Sequence, residues 1–300
     1  MKILRLTLSL CFSLSCVGPA LAQDTIAARP VTSVVTMGLG QGKLRDTYLT
    51  PLLYDGPSYT VNYERWRLMR RQRWNNAQTA DFNFLSGEDK GRSTQTLAGR
   101  VRYRYAMHRL WRVGEPTERS LGSRPFSLFA GPYAGFDFGF NYNTRIATGN
   151  NPATLRLAAN AGLSLGAVWH LSMRQQPWAV QLQVRTPLMG AAFVPEYGAS
   201  YYETFMVDDN PEVLHFTSLH NQQDLDVRLT ADIPLATFRF LKRLDTTMRV
   251  GFAYHIETMD INHIVTRQST CELVLGWTYQ YLPFSRRKAN LLKSAPAYAY

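Results

Sequence analysis

The chain is short of cysteine and of long apolar runs, and both shortages limit what it can be. Of its three cysteines, Cys11 and Cys16 lie in the first 22 residues. Once that segment is removed only Cys271 is left, so no intrachain disulfide can form. Beyond it no apolar run approaches the roughly twenty residues that a membrane-spanning helix needs, which argues against a helical membrane protein.

The first 22 residues have the parts of a secretory signal peptide. Lys2 and Arg5 flank the start of an apolar stretch, and Ala20-Leu21-Ala22 forms a small-x-small cleavage site. We therefore expect cleavage near Ala22 and export from the cytoplasm. A lipid anchor on Cys16 is the less favoured alternative, because Ser13 stands where such sites carry an aliphatic residue.

Acidic residues are also few, 22 against 33 basic ones. Removal of Lys2 and Arg5 with the signal peptide lowers the formal net charge from +11 to +9. The positive charges are scattered at strand-like spacing with no basic tail, and the chain is exported, so nucleic acid is not the expected partner. We expect contact with outer-membrane lipid and lipopolysaccharide, or with anionic substrates, instead.

Apolar and polar residues alternate along much of the chain, which indicates β-strands with one dry face. In "NAGLSLGAVWHLSM" (160–173) every odd position is apolar, and of the even positions only Val168 is large and apolar. The same period runs through 99–110, 224–233 and 246–257. We expect lipid to meet Leu163, Leu165, Trp169 and Leu171, and the interior to hold Ser164, His170 and Ser172.

Strand length and aromatic placement favour a membrane barrel over a soluble sandwich. The runs 93–111, 125–142 and 151–173 exceed the usual strand of about five or six residues, and a tilted membrane crossing needs about nine to eleven. Aromatic residues such as Trp169 stand towards strand ends on apolar faces, as interfacial girdles do. The sequence therefore predicts an all-β, transmembrane, antiparallel up-and-down β-barrel in a Gram-negative outer membrane.

The expected domain plan has four parts. The signal peptide (1–22) precedes an N-terminal segment (23–43) that is a plug or an extra strand, the barrel spans 44–284, and residues 285–300 form a periplasmic tail. Gly276, Tyr279 and Tyr281 near the barrel's end resemble the targeting signal that the outer-membrane barrel-assembly machinery reads, which makes that machinery an expected partner. Such signals usually close the chain, and here the tail follows.

We count about twelve strands, and an even number places both termini in the periplasm. The turns at 174–177 and 208–211 then face the periplasm, and the loops at 144–152 and 191–199 face outward. The expected strands lie near residues 44–53, 58–69, 78–86, 93–111, 125–142, 152–173, 177–189, 199–207, 212–220, 223–236, 246–258 and 268–284.

Three stretches go beyond periodicity: "DTYLTPLLYDGP" (46–57), "GNNPATLRLAANAGLSL" (149–165) and "PEYGASYYETF" (195–205). Together they resemble an uncharacterised family of Bacteroidota-type outer-membrane β-barrel proteins, a domain-of-unknown-function group. The resemblance covers most of the chain beyond the signal peptide and implies an outer-membrane barrel. It transfers no catalytic residue.

Two sets of residues could carry chemistry in the interior. His170 and Ser172 form His-x-Ser on one strand face, a pattern known from outer-membrane phospholipases and lipid A deacylases, where an imidazole activates a hydroxyl. No Asn follows the serine, so a lumen histidine is the favoured interpretation. The second set is either a path for anions or a salt-bridge ladder that fills the lumen, and the ladder is favoured. In the ladder, Arg100, Arg102, Arg104 and His108 pair with Asp224, Asp226 and Asp232.

The remaining candidates are weaker. "GLGQGK" (38–43) fails as a phosphate loop, because Met37 stands where the first glycine should be and Leu44 follows the lysine. No metal-ligand spacing and no cofactor motif is found. An outer loop could hold sugars or peptides through aromatic and acidic residues, but headgroup-level tyrosine is the favoured interpretation. Its residues are Glu196, Tyr197, Tyr201, Tyr202 and Glu203.

These observations predict an outer-membrane barrel that is not an enzyme, acting as a narrow pore or as a structural or binding barrel. The alternative is an outer-membrane lipid hydrolase that uses His170 and Ser172. A third hypothesis is a partner subunit whose periplasmic tail docks another envelope protein. The oligomeric state is left open.

Overall fold

The computed structural model describes residues 31–69, 74–89, 97–113, 126–144, 152–173, 176–197, 200, 202–207, 212–238 and 246–281. The predicted signal peptide and tail lie outside them. Among the described residues no helix is long and apolar enough to cross a membrane. Eleven strands are present: β1 (Val31–Asp46), β2 (Thr50–Met69), β3 (Trp74–Asp89), β4 (Leu97–Val113), β5 (Phe126–Asn143), β6 (Ala153–Met173), β7 (Gln176–Phe193), β8 (Leu214–Ser218), β9 (Gln222–Pro234), β10 (Thr247–Ile261) and β11 (Ile264–Tyr281).

Ten of these strands close into an antiparallel barrel. Neighbours in sequence pair from β1 to β7, β7 pairs with β9, and β9, β10 and β11 follow. The barrel closes where β1 pairs with β11, from Val31 opposite Tyr281 to Asp46 opposite Thr266. β8 is a short addition that pairs with Met189–Phe193 at the end of β7. The all-β antiparallel barrel that the alternation predicts is confirmed.

The expected count of about twelve strands is not confirmed, since the described residues form eleven, and the first expected strand is misplaced at residues 44–53. Those residues hold the end of β1, a turn and the start of β2. Asp46 makes the turn, because its carbonyl accepts from the Leu49 N–H at 3.1 Å and its carboxylate accepts from the Tyr48 N–H at 3.1 Å. The 23–43 segment contributes a full strand from Val31 onward, and its described part is not a plug.

The second error lies at 199–207, where the described residues form no strand. Glu203–Val207 is a short π-helical turn, and the Thr204 N–H donates to the Ser200 carbonyl at 2.9 Å. The Val194 N–H donates to the Val213 carbonyl at 2.8 Å, so the described residues after β7 and before β8 lie together at one end of the barrel. The expected periplasmic turn at 208–211 lies outside the described residues.

The barrel has apolar residues outside and polar residues inside, since successive strand residues point to opposite faces. On β1, Met37 and Leu39 are each 60% exposed. On β6, Leu163, Leu165 and Trp169 point outward and Ser164 is fully buried, as the alternation predicts. Some exposed aromatics stand near the ends of the barrel, with Trp111, Trp169, Trp277 and Tyr279 towards the end that holds Val31 and Tyr281, called here the terminal end, and Phe84, Phe140 and Tyr142 towards the opposite end, called the far end. Others, such as Phe82, Tyr103 and Phe136, stand in the middle of their strands.

Candidate functional site

Charged side chains fill the middle of the barrel. They come from inward positions of strands β2 to β7, β9 and β10, because each of those strands alternates and the inward parity places its charges in the lumen. Most are buried, so they need partners. We call this set the ionic layer: Glu64, Asp81, Arg100, Arg102, Arg104, Asp137, Arg156, Arg185, Asp224, Asp226, Arg228, Asp232, Arg249, His255 and Glu257.

One part of the ionic layer centres on two carboxylates that share three guanidiniums. Arg185 Nη2 lies 2.9 Å from Asp81 Oδ2 and 3.2 Å from Asp226 Oδ2. Arg228 Nη2 is 2.6 Å from Asp81 Oδ1, and Arg104 Nη2 is 2.7 Å from Asp226 Oδ2. These pairs join β3, β4, β7 and β9 across the lumen, so the network bridges opposite walls.

A second part centres on Glu257. Its carboxylate lies 2.9 Å from Arg156 Nη2, 3.1 Å from Arg102 Nη1 and 3.4 Å from Arg100 Nη2. Arg102 also pairs with Asp137. Two strands other than its own, β4 and β6, are thus tied to one carboxylate on β10.

A third part centres on Arg249. Its guanidinium lies 2.8 Å from Glu64 Oε2 and 2.7 Å from Asp232 Oδ2. Glu64 also accepts from the Trp66 indole N–H at 3.1 Å, and Asp232 accepts from the Thr278 hydroxyl at 2.7 Å. Glu64 reaches Arg228 at 3.4 Å, which links this part to the first.

Apolar layers lie above and below the ionic layer. At the terminal end, inward residues pack together as Trp66, Ala77, Leu110, Phe129, Val168 and Ala179. At the far end the buried cluster is Ala192, Val194, Met259, Ile261 and Ile264. A cavity among Glu64, Asp81 and Arg249 has a volume of only about 40 Å³, enough for a few waters. The ionic layer and the two apolar layers therefore leave little open space around this cavity.

The structure brings most of the predicted ladder residues together. Arg104 pairs with Asp226, and Arg102 lies 3.7 Å from Asp224. Asp232 pairs with Arg249, not with one of the three predicted arginines. His108 stands apart from these contacts, stacked on Tyr133 at 5.4 Å between ring centroids and 3.4 Å from the Thr79 hydroxyl.

Nine members of the ionic layer were missed as site residues by sequence reasoning, among them Asp137 and His255. They share one signal, which is a charged side chain at an inward parity position of an alternating strand. Sequence alternation alone could have found them once the strands were placed. The other seven are Glu64, Asp81, Arg156, Arg185, Arg228, Arg249 and Glu257.

His170 and Ser172 lie at the end of β6 nearest the terminal end. His170 is half-buried and Ser172 is exposed, and the strand places them opposite Ala179 and Pro177 on β7. Among the described residues no group of His, Cys, Asp and Glu is arranged to hold a metal ion.

The outer-loop candidates lie at the far end. Glu196, Tyr197 and Tyr202 are exposed. Glu203 begins the short helical turn, and Tyr201 lies outside the described residues. Phe193 stacks on Phe205 with ring centroids 6.1 Å apart, so the turn packs against the end of β7.

Comparison of the chain with known families gives one match. The model of a family of proteins of unknown function, DUF3316, matches residues 5–288. The chain belongs to the DUF3316 family. This confirms the expected membership of a family of unknown function.

No curated protein matches this DUF3316 chain, but solved barrels resemble it. The outer-membrane protease OmpT from Escherichia coli is 8% identical, with 87% of this chain and 100% of that chain covered and a TM-score of 0.47. The β domain of the Bordetella autotransporter BrkA is 11% identical, with 85% and 100% covered and a TM-score of 0.40. Ail of Yersinia pestis is 10% identical, with 83% and 99% covered and a TM-score of 0.31. No residue role is taken from these three.

Proposed function

We propose that this DUF3316 chain is an outer-membrane protein whose barrel spans the bilayer and whose interior is closed. The support for membrane insertion is the inverted distribution of side chains. Met37, Leu39 and Leu273 are 60%, 60% and 62% exposed, whereas Arg100 and Arg249 are 1% exposed. A protein surrounded by water rarely exposes so continuous an apolar surface. Lipid and lipopolysaccharide would cover it, with aromatics at both interfaces.

The observation that carries the function is the filled lumen. A pore needs a continuous water-filled path, and here the ionic layer bridges opposite walls between two apolar layers. A barrel of about ten strands is narrow enough for side chains to fill it. We infer a structural or binding barrel in preference to a conduit, with contacts made at the far-end rim and on the outer wall.

A proteoliposome swelling assay tests this function. The protein, refolded into vesicles, is challenged with sugars and amino acids of increasing size, beside an open general porin as the positive control. Insertion is verified separately by a heat-modifiable band on gels. We expect an inserted barrel that gives no swelling above empty vesicles. Size-dependent swelling would show an open path and contradict the proposal.

The lipid hydrolase that uses His170 and Ser172 is a separate proposal from the sequence. Its test compares wild type with H170A and S172A in membranes, with acyl chains of lipid A and phospholipids measured by mass spectrometry. The hydrolase requires that both variants abolish an acyl loss seen in the wild type. Identical lipid profiles in all three strains would remove it.

A further inference from the structure

Polar side chains interrupt the apolar outer wall on β2, β3 and β4 near the terminal end. They are outward by parity, and Arg67 and Arg109 are exposed while the others are half-exposed. We call this set the basic patch: Arg65, Arg67, Asn76, Gln78 and Arg109. An arginine on a lipid-facing wall is costly unless it reaches a polar group, so these positions need an explanation.

Strand register brings the basic patch into one compact area. Arg67 lies opposite Asn76 and Asn76 lies opposite Arg109, so these three form one row across three strands. Arg65 and Gln78 are opposite each other in the next outward row. Residues directly opposite have Cβ atoms about 4.5–5.5 Å apart. Among the salt bridges of the described residues, none joins Arg65 or Arg67 to a carboxylate.

The depth of the patch follows from its neighbours on β4. Arg109 lies between Met107 and Trp111, which are 53% and 44% exposed, and Val113 beyond them is 56% exposed. The Arg109 guanidinium lies 5.8 Å from the centre of the Trp111 ring. Arg109 is thus inside the apolar belt at the level of the terminal-end aromatics. That level corresponds to the headgroups of the leaflet nearest the termini, which long arginine side chains can reach.

A depression in the outer wall adjoins the basic patch. It has a volume of about 430 Å³ and lies over the gap between β4 and β5, so the buried residues His108 and Tyr133 line it together with small outward side chains. Pro132 lacks the N–H that a strand donates to its neighbour, and the pairing of β4 with β5 is interrupted between His108 and Trp111. The outward residues that line it include Asn76, Met107, Arg109, Pro132, Ala134 and Ala161.

We propose that this site binds one anionic phospholipid of the periplasmic leaflet. The phosphate lies on the basic patch, where arginine and amide N–H groups donate to its oxygens. One acyl chain lies in the depression over Pro132, Ala134 and Ala161. The proposal rests on the proposed membrane insertion of the barrel. It explains the polar residues in the apolar wall as a binding site for a lipid headgroup. The alternatives for this face are a second copy of the chain and lipid A, and the test distinguishes them from a phospholipid.

Native mass spectrometry of the detergent-solubilised full chain tests the headgroup part. Phosphatidylglycerol, phosphatidylcholine of the same acyl chains, and lipid A are added separately. We expect one phosphatidylglycerol to be retained in preference to the other two. The variant R65Q/R67Q should weaken its retention by about 25-fold, at roughly fivefold for each positive charge near a headgroup. The control K43Q/R267Q removes two exposed charges at the far ends of β1 and β11 and should change nothing.

A second pair of variants tests the acyl-chain part without changing charge. A134F places a ring in the depression, whereas A130F adds the same ring at another outward position of β5 that does not line it. We expect A134F to lose phosphatidylglycerol and A130F to keep it. Equal retention by A134F and A130F would overturn the placement of the acyl chain.

The outcomes separate this proposal from the proposed function. If the barrel is heat-modifiable and inserted but retains phosphatidylglycerol and phosphatidylcholine equally, the lipid site is wrong and the function stands. The same holds if R65Q/R67Q behaves like K43Q/R267Q, if lipid A is preferred, or if the patch variants convert a dimer to a monomer with no lipid lost. A chain that is soluble without detergent would overturn both.

Discussion

Replacement of Arg249 by methionine removes one guanidinium from the centre of the ionic layer. The Arg249 side chain is 1% exposed and lies between Glu64 and Asp232 at 2.8 and 2.7 Å. Methionine keeps much of the length and carries no charge, so the two carboxylates lose a shared partner. Glu64 keeps Arg228 at 3.4 Å and Asp232 keeps the Thr278 hydroxyl at 2.7 Å.

The expected loss of unfolding free energy in R249M follows from the short Arg249–carboxylate distances and from the burial of Arg249. Breaking a buried pair by removing one partner costs about 3–5 kcal/mol, because it leaves uncompensated charge away from water. The partners that remain favour the lower end, so we expect R249M to lose about 3 kcal/mol of unfolding free energy. Because the main cost is the stranded carboxylate, the double variant R249M/D232N should lose less than the sum of the two single variants, with a coupling of about 0.5–3 kcal/mol.

Denaturant unfolding in detergent micelles, followed by tryptophan fluorescence, measures these differences. The control R267M removes an exposed arginine near the far end of β11 and should stay within about 0.5 kcal/mol of wild type. A loss below about 1 kcal/mol in R249M, equal to that of R267M, would refute the structural role of the ionic layer.

Three further predictions concern the wall and the ends of the barrel. Leu165, 52% exposed on β6, should tolerate arginine poorly. In the same unfolding assay, L165R should lose about 2–4 kcal/mol of unfolding free energy and the control L97R at the rim about 0–1 kcal/mol. Equal losses in the two variants would contradict a lipid-facing belt around Leu165. In a C271S background, a cysteine at Pro152 should react with an impermeant maleimide on intact cells and one at Met173 should not, and the reverse result would invert the orientation. Asn262 and His263, with φ of 53° and 61°, join β10 to β11, so H263V should lose about 1 kcal/mol and H263G should not; equal stability of the two would contradict the turn geometry.

Alternation was sufficient to predict the barrel because inside and outside require opposite chemistry at every second residue. In 160–173 the outward Leu163 and the inward Ser164 follow directly from that rule. The placement of the first strand failed where alternation continues through a bend. The turn at Asp46 depends on hydrogen bonds from the Tyr48 and Leu49 N–H groups, which residue polarity does not encode.

The sequence predicts that charged residues face the interior, but it predicts only some of the salt bridges between them. Strand parity identifies which charged residues face the lumen, but their salt-bridge partners depend on strand stagger and on which walls of the barrel face each other. Arg104 and Asp226 are 122 residues apart in sequence and 2.7 Å apart in space. The pairing of Asp232 with Arg249 needs the register of β9 with β10, in which the two residues are directly opposite. The depression beside Pro132 also depends on three-dimensional placement across four strands.

Conductance of the purified wild-type barrel in a planar lipid bilayer decides whether the interior is closed. The ionic layer and the two apolar layers leave a cavity of about 40 Å³ in the described interior, so we expect insertion without steady current at moderate voltage. Insertion is verified in the same sample by protease protection of the barrel. Ohmic, anion-selective current steps from inserted protein would contradict a filled lumen and support the pore hypothesis.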